Sequence, residues 1–155
     1  MADLTNISEL KKILEDNGFA FSKQFGQNFI INPTICPRIA ENAGDYVLEI
    51  GAGAGVLTKE LAKVAKKVVS LEIDTRLMPV LDTTLQGFDN VKIINADVMK
   101  TDLHKLIKEE FGDEKISVCA NLPYYITSPI IMMLLEERLP IDSITVMVQK
   151  EAADR

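Results

Sequence analysis

From Tyr46 onward, five short runs rich in β-branched and apolar residues (YVLEI, VVSLEI, VKIIN, ISVCAN and SITVMVQ) alternate with four stretches of helical periodicity. Those stretches are VLTKELAKVAKK, TRLMPVLDTTL, LHKLIKEEFG and SPIIMMLLEER. This alternation restricts the fold more than any other feature. A strand that is apolar on both faces must be covered on both, and strands joined through helices lie parallel. The expectation is an α/β fold: a Rossmann-like, doubly wound parallel sheet. Right-handed crossovers then bring the loops after the strands to one edge, where open sheets bind their ligands. With 155 residues and 47% hydrophobic composition, the chain has material for one such domain, 1–155.

The first 44 residues stand apart from this pattern. Leu4, Ile7, Leu10, Ile13 and Leu14 recur at helical spacing, and Gly18 follows where a helix-ending glycine belongs. The next stretch, FAFSKQFGQNFIIN, has no period and reads as a loop. Asn32-Pro33 supplies a cap and a first-turn proline for a second helix, which runs to about Ala43 and ends at Gly44. Residues 1–44 are thus N-terminal helices and a loop, and 45–155 the sheet core. At the other end the chain stops at VQKEAADR, where a helix should follow the fifth strand. That strand is expected at an edge, in a truncated domain.

Several function classes find no support. There is no run of eighteen apolar residues, and MADLTNISELKK lacks the apolar core of a signal peptide, so a cytoplasmic location is expected. Cys36 and Cys119 stand far apart among apolar or small neighbours and read as free thiols. His104, the single histidine, sits in the polar stretch TDLHKLIKEE and reads as part of a solvated helix face, so no metal is expected. The net charge of −6, from 17 basic and 23 acidic residues, argues against a nucleic-acid partner.

The chemistry-bearing residues fall at strand ends. VLEIGAGAGVLT places Gly51, Gly53 and Gly55 in the turn from the first strand to its helix, where missing side chains let backbone approach a ligand. A dinucleotide loop of the G-x-G-x-x-G type would need a glycine at Val56, so the spacing suits S-adenosylmethionine, which has no pyrophosphate to seat. A structural tight turn is the alternative. Glu72, twenty-one residues after Gly51, ends the second strand and can accept hydrogen bonds from two ribose hydroxyls, or is a surface acid. Asp97 can accept from the adenine amino group, with Ile73 and Val98 as apolar walls for the ring; otherwise it is an ordinary cap aspartate.

Asn121-Leu122-Pro123-Tyr124 closes the fourth strand. An aromatic amine is a poor nucleophile because its lone pair is delocalised into the ring. Acceptors aimed at its two protons, such as the Asn121 side chain and the Leu122 carbonyl, draw it toward a tetrahedral shape and free that lone pair. Pro123 fixes the turn, and Tyr124 can stack on a base taken out of its helix. The plain alternative is a strand-end turn with a core tyrosine.

Taken together, FGQNFIIN, LEIGAGAGVLT, LEID, NADV, NLPYYITSPI and VQKEAADR make the chain resemble the ribosomal RNA adenine dimethyltransferases over essentially its whole length. The resemblance implies a fold of the S-adenosylmethionine-dependent methyltransferase type lacking its last two strands. It also implies that Asn28 and the backbone around Ile30 help hold S-adenosylmethionine, beside Gly51, Glu72, Asp97 and Asn121. Asn121, Leu122, Pro123 and Tyr124 would then form the target-adenine site. The segment after the tyrosine favours the small-subunit branch over the erythromycin-resistance branch, which modifies large-subunit RNA. The implied substrate is two adjacent adenines near the 3′ end of small-subunit ribosomal RNA, and the implied partner an immature small subunit met by a monomer. An assembly-checkpoint role on that particle and a nicotinamide enzyme on a related sheet are the alternatives. Ile30 replaces the usual leucine, the join 42–46 is a few residues short, and the family's helical RNA-binding domain has no counterpart in the chain.

Overall fold

The computed structural model describes residues 12, 13, 15, 16, 35–121 and 124–147. Residues 12, 13, 15 and 16 are helical, as the 4–17 spacing predicts; the rest of that helix and the loop 19–32 lie outside the described residues. The element order is α1 (Ile35–Asn42), β1 (Tyr46–Ile50), α2 (Val56–Val64), β2 (Lys67–Glu72), a 3-10 turn (Thr75–Leu77) and α3 (Met78–Thr84). It continues with β3 (Val91–Asn95), a second 3-10 turn (Val98–Lys100), α4 (Leu103–Phe111), β4 (Ile116–Asn121), α5 (Tyr124–Glu136) and β5 (Ile141–Met147).

The strands pair in parallel in the order β3-β2-β1-β4-β5. The order reverses between β1 and β4, the switch point beside which open sheets of this kind bind their ligands. Leu48, Ile50, Val69, Leu71, Val118 and Ala120 point to one face, where Leu103, Ile107 and Phe111 of α4 and Ile130 and Leu134 of α5 cover them. On the opposite face Val47, Val68 and Cys119 pack under Cys36 and Ala40 of α1 and Val56, Leu57 and Leu61 of α2. Burial on both faces is what the apolar strand runs require. β5 lies at an edge, as expected, and so does β3, whose Lys92 is exposed. Among the described residues no helix is long and apolar enough to cross a membrane.

Boundaries differ from the expectation in three places. The helix expected to run through Lys67 stops at Val64, because Lys67 belongs to β2. There its ammonium bonds the Glu110 carbonyl at 2.6 Å, and Lys92 reaches the Glu110 carboxylate at 2.6 Å, tying β2 and β3 to α4. The helix expected from Thr75 begins as a 3-10 turn, since Pro79 has no N–H to bond the Thr75 carbonyl. α5 begins at Tyr124 instead of Ser128 and carries Pro129 inside it. The short join after α1 is a tight one: Gly44 at φ 85° turns the chain, and the Asp45 carbonyl accepts from the Lys66 and Lys67 amides.

Candidate functional site

The loop from β1 to α2 is built from alternating glycine and alanine. Ala52 and Ala54 are buried against Leu77, Val80, Leu81 and Leu85, so the alanines seat the loop on α3 and its approach. Gly51, Gly53 and Gly55 all take positive φ, at 85°, 58° and 91°. Gly55 is constrained twice, because a Cβ there would stand 2.8 Å from the Thr84 hydroxyl and 3.3 Å from Leu81 Cδ2. Its missing side chain serves helix packing, where the sequence suggested approach to a ligand.

Glu72 is only 6% exposed, which rules out the surface-acid reading. Its Oε1 accepts from the Gly53 amide at 2.7 Å and its Oε2 from the Asp74 amide at 2.9 Å. The Glu72 carbonyl accepts from Asn95 Nδ2 at 2.8 Å and from the Ala96 amide at 3.1 Å. One residue therefore fastens together the loops after β1, β2 and β3. A carboxylate has about four acceptor directions, so two N–H bonds leave capacity for hydroxyl donors.

Ile73, next along the chain, is 64% exposed and presents an apolar surface beside that carboxylate. Asp97 caps the second 3-10 turn, its Oδ1 accepting from the Met99 amide at 2.9 Å, so the cap role considered for it is real. Val98 is buried in the core beneath, whereas Met99 is 50% exposed. Met99 is the apolar side chain that sequence reasoning missed at this edge. Its signal was slight: one methionine among polar residues in NADVMK.

Register places the two halves of the site side by side. Ile50 pairs with Ala120 across β1 and β4, so Gly51 and Asn121 leave neighbouring strand ends together. Asn121 is the last residue of β4 and Tyr124 the first of α5. The side chains of Asn121 and Tyr124, all of Leu122 and Pro123, and the predicted contacts at Asn28 and Ile30 lie outside the described residues. His104 lies on an exposed face of α4, with Nε2 3.2 Å from Glu137 Oε2. Among the described residues no group of three or more His, Cys, Asp or Glu side chains could hold a metal ion.

Beneath the glycine loop lies a second carboxyl group, at a position where no local pattern singles it out. Glu49 is fully buried, and its Oε1 accepts from the Ser70 hydroxyl at 2.6 Å and from the Thr58 hydroxyl. Its Oε2 is buried with no hydrogen-bond partner. Burial, which outweighs the two hydroxyl bonds, and the nearby Glu72 push its pKa up to about 7. Cys36 and Cys119 are free and buried. Burial first, then Glu60 and Glu49 for Cys36 and Glu49 alone for Cys119, pushes both thiols up to about 12.

The family model described as ribosomal RNA adenine dimethylase matches residues 18–155. A ribosomal RNA small subunit methyltransferase A of Bacillus pumilus is 52% identical over 99% of this chain and 54% of its own length. Its namesake in Alkaliphilus oremlandii is 46% identical over 100% of this chain and 55% of its own. The chain thus spans about half the length of the curated relatives it matches. Among solved structures, the 23S rRNA methyltransferase ErmE superposes with a TM-score of 0.65 at 35% identity, over 79% of this chain and 48% of that one. A dimethyladenosine transferase from Plasmodium falciparum gives 0.62 at 34%, over 80% and 44%. The glycine loop, the acid ending β2 and the asparagine ending β4 stand within a matched stretch of 138 of 155 residues, and this chain belongs to the ribosomal RNA adenine dimethylase family.

Proposed function

We propose that this chain is the S-adenosylmethionine-binding part of an enzyme that dimethylates the exocyclic amines of two adjacent adenines near the 3′ end of small-subunit ribosomal RNA. The observation that carries the reading is the Glu72 carboxylate, held against the Gly53 amide at 2.7 Å where β1 and β2 end. A buried acceptor beside the exposed Ile73 suits a ribose with its attached flat ring. The small-subunit branch is favoured because the relatives at 46–52% identity carry that name, against 35% for ErmE.

When bound, S-adenosylmethionine supplies a methyl group on a positively charged sulfur. The protein's task is to place an adenine amine in line with it. In this reading Glu72 takes the ribose hydroxyls, Asp97 the adenine amino group of the cofactor, and Ile73 one face of its ring. Asn28 and the backbone at Ile30 complete the grip, with Gly51 and Gly53 letting the chain pass close by. Asn121 and the Leu122 carbonyl accept from the two protons of the target amine, Pro123 aims that carbonyl, and Tyr124 stacks on the base. With its lone pair freed in this way the amine nitrogen would be placed to take the methyl group as the bond from methyl carbon to sulfur breaks, and the proton it sheds would pass to solvent. No strong base is required, because the methylated amine is acidic until it loses that proton. Residues 1–44 contribute the cofactor-contacting loop and 45–155 the sheet. The protein works in the cytoplasm as a monomer on the immature small subunit.

The test is methyl transfer from labelled S-adenosylmethionine to small subunits lacking the modification, with dimethyladenosine read by mass spectrometry and Asn121→Ala as control. Dimethyladenosine in small-subunit RNA, lost in the variant, is the expected result. Product confined to large-subunit RNA would overturn the assignment.

A further inference from the structure

Glu49, Ser70 and Cys119 stand in register on adjacent strands, and Cys119 is in turn paired with Thr145 on β5. They form a transverse polar row inside a face that is otherwise packed with Val47, Val68 and Leu61. Thr58 of α2 closes over the row by donating to Glu49. Glu49 lies two residues before Gly51 and Thr58 three residues after Gly55, so this bond spans the whole glycine loop. Ser70 adds a tie to β2 two residues before Glu72, the residue that holds Gly53.

A buried carboxylate whose second oxygen has no partner is costly, and such a group lowers the cost by keeping its proton. Among the described residues, those that act on Glu49 or feel its charge are Ser70 and Glu72 on β2, Thr58 on α2, Cys119 on β4 and Cys36 on α1, none of them a cation; the buried lysine of α2, Lys59, follows Thr58 in the chain. Glu72 acts in the same direction by repulsion.

We propose that Glu49 is a positioning residue that ties the glycine loop to the sheet through Thr58 and Ser70, and that charging it inside the apolar layer loosens this seat, so that cofactor affinity follows the protonation state of Glu49. This rests on the cofactor reading given above. Loss of the proton puts a charge into the apolar layer, and α2 and the loop must shift to let water reach it. With titration near pH 7, the protonated fraction falls from about nine-tenths at pH 6 to about one-tenth at pH 8. Apparent affinity scales with the competent fraction, so the dissociation constant rises up to about tenfold over that interval.

Calorimetric titrations of the chain at pH 6, 7 and 8 with S-adenosylmethionine and with its uncharged-sulfur product S-adenosylhomocysteine test this. Wild type should weaken with pH for both ligands alike. Glu49→Gln, which keeps an oxygen for the two hydroxyls and cannot ionise, should bind as wild type does at pH 6 and stay level. Coincident profiles for wild type and Glu49→Gln would overturn the proposal. So would an affinity for the sulfonium ligand that increases with pH, because Glu49 would then act by its charge. Should neither ligand bind at any pH, the cofactor reading fails, and amide exchange over 51–58 decides this one separately. Wild type should lose protection there between pH 6 and 8 while Glu49→Gln keeps it, and equal protection in the two proteins would refute the proposal.

Discussion

Adding a single methyl group at Gly55 probes how the glycine loop is seated. Gly55 has φ of 91°, where a residue with a Cβ is strained by about 1–2 kcal/mol. The new Cβ would also stand 2.8 Å from Thr84 Oγ1, 3.3 Å from Leu81 Cδ2 and 3.5 Å from Leu85 Cδ2, all in buried side chains. Thr84 is β-branched and packed, so it yields poorly, and forcing such a contact costs about 1–3 kcal/mol. The sum for Gly55→Ala is about 2–5 kcal/mol, or roughly 5–15 °C in Tm for a chain of this size. Gly87 is the internal control: its φ is 94°, yet a Cβ there meets nothing within 4 Å. Gly87→Ala should therefore show the strain alone, about 1–2 kcal/mol. Thermal unfolding of both variants, and of Gly55→Ala in a Thr84→Ala background, separates the contributions. The second substitution should return about 1 kcal/mol or more of what the first lost, as expected for side chains in contact. Equal losses at Gly55 and Gly87, or a Gly55→Ala cost untouched by Thr84→Ala, would refute the packing argument.

Two further outcomes follow from the buried groups. Glu49 has a folded pKa of about 7 against an ordinary 4.5, so the folded protein holds an extra proton between those values. Its contribution to stability is complete below about pH 4.5 and is lost as pH rises through about 7; at about 1.4 kcal/mol per unit this amounts to about 3 kcal/mol. Urea unfolding should show Glu49→Gln gaining about 2–3 kcal/mol on wild type between pH 5 and pH 8, and a constant difference would contradict the burial account. Cys36 and Cys119, buried with thiol pKa values pushed up to about 12, should react with a thiol reagent at pH 8 only at the rate of unfolding. Fast labelling of either in the folded protein would show that the layer under α1 is open.

The strands were legible because burial on both faces demands largely apolar runs, and Val47, Leu48 and Ile50 or Val68, Val69 and Leu71 offer no other use for their side chains. Helix ends were less so. Ser128-Pro129 looks like a helix start, yet α5 begins four residues earlier, and the burial of Ile130 and Leu134 against the sheet outweighs a proline within the helix. Glu72 was legible from its spacing to the glycines, whereas its bond to the Gly53 amide belongs to the folded loop. The hidden parts are long-range. Thr84 explains Gly55 from twenty-nine residues away, and Ser70 meets Glu49 only because β1 and β2 are in register. No local pattern announces either contact.

Whether the glycine loop and Glu72 form a site for S-adenosylmethionine is decided by calorimetric titration of this chain with that cofactor and, separately, with NAD. Saturable binding of S-adenosylmethionine alone is expected, weakened about 10- to 100-fold in Glu72→Ala, the effect of losing hydrogen bonds to a charged acceptor. Binding of NAD, or binding of S-adenosylmethionine that is indifferent to Glu72→Ala, would contradict this reading.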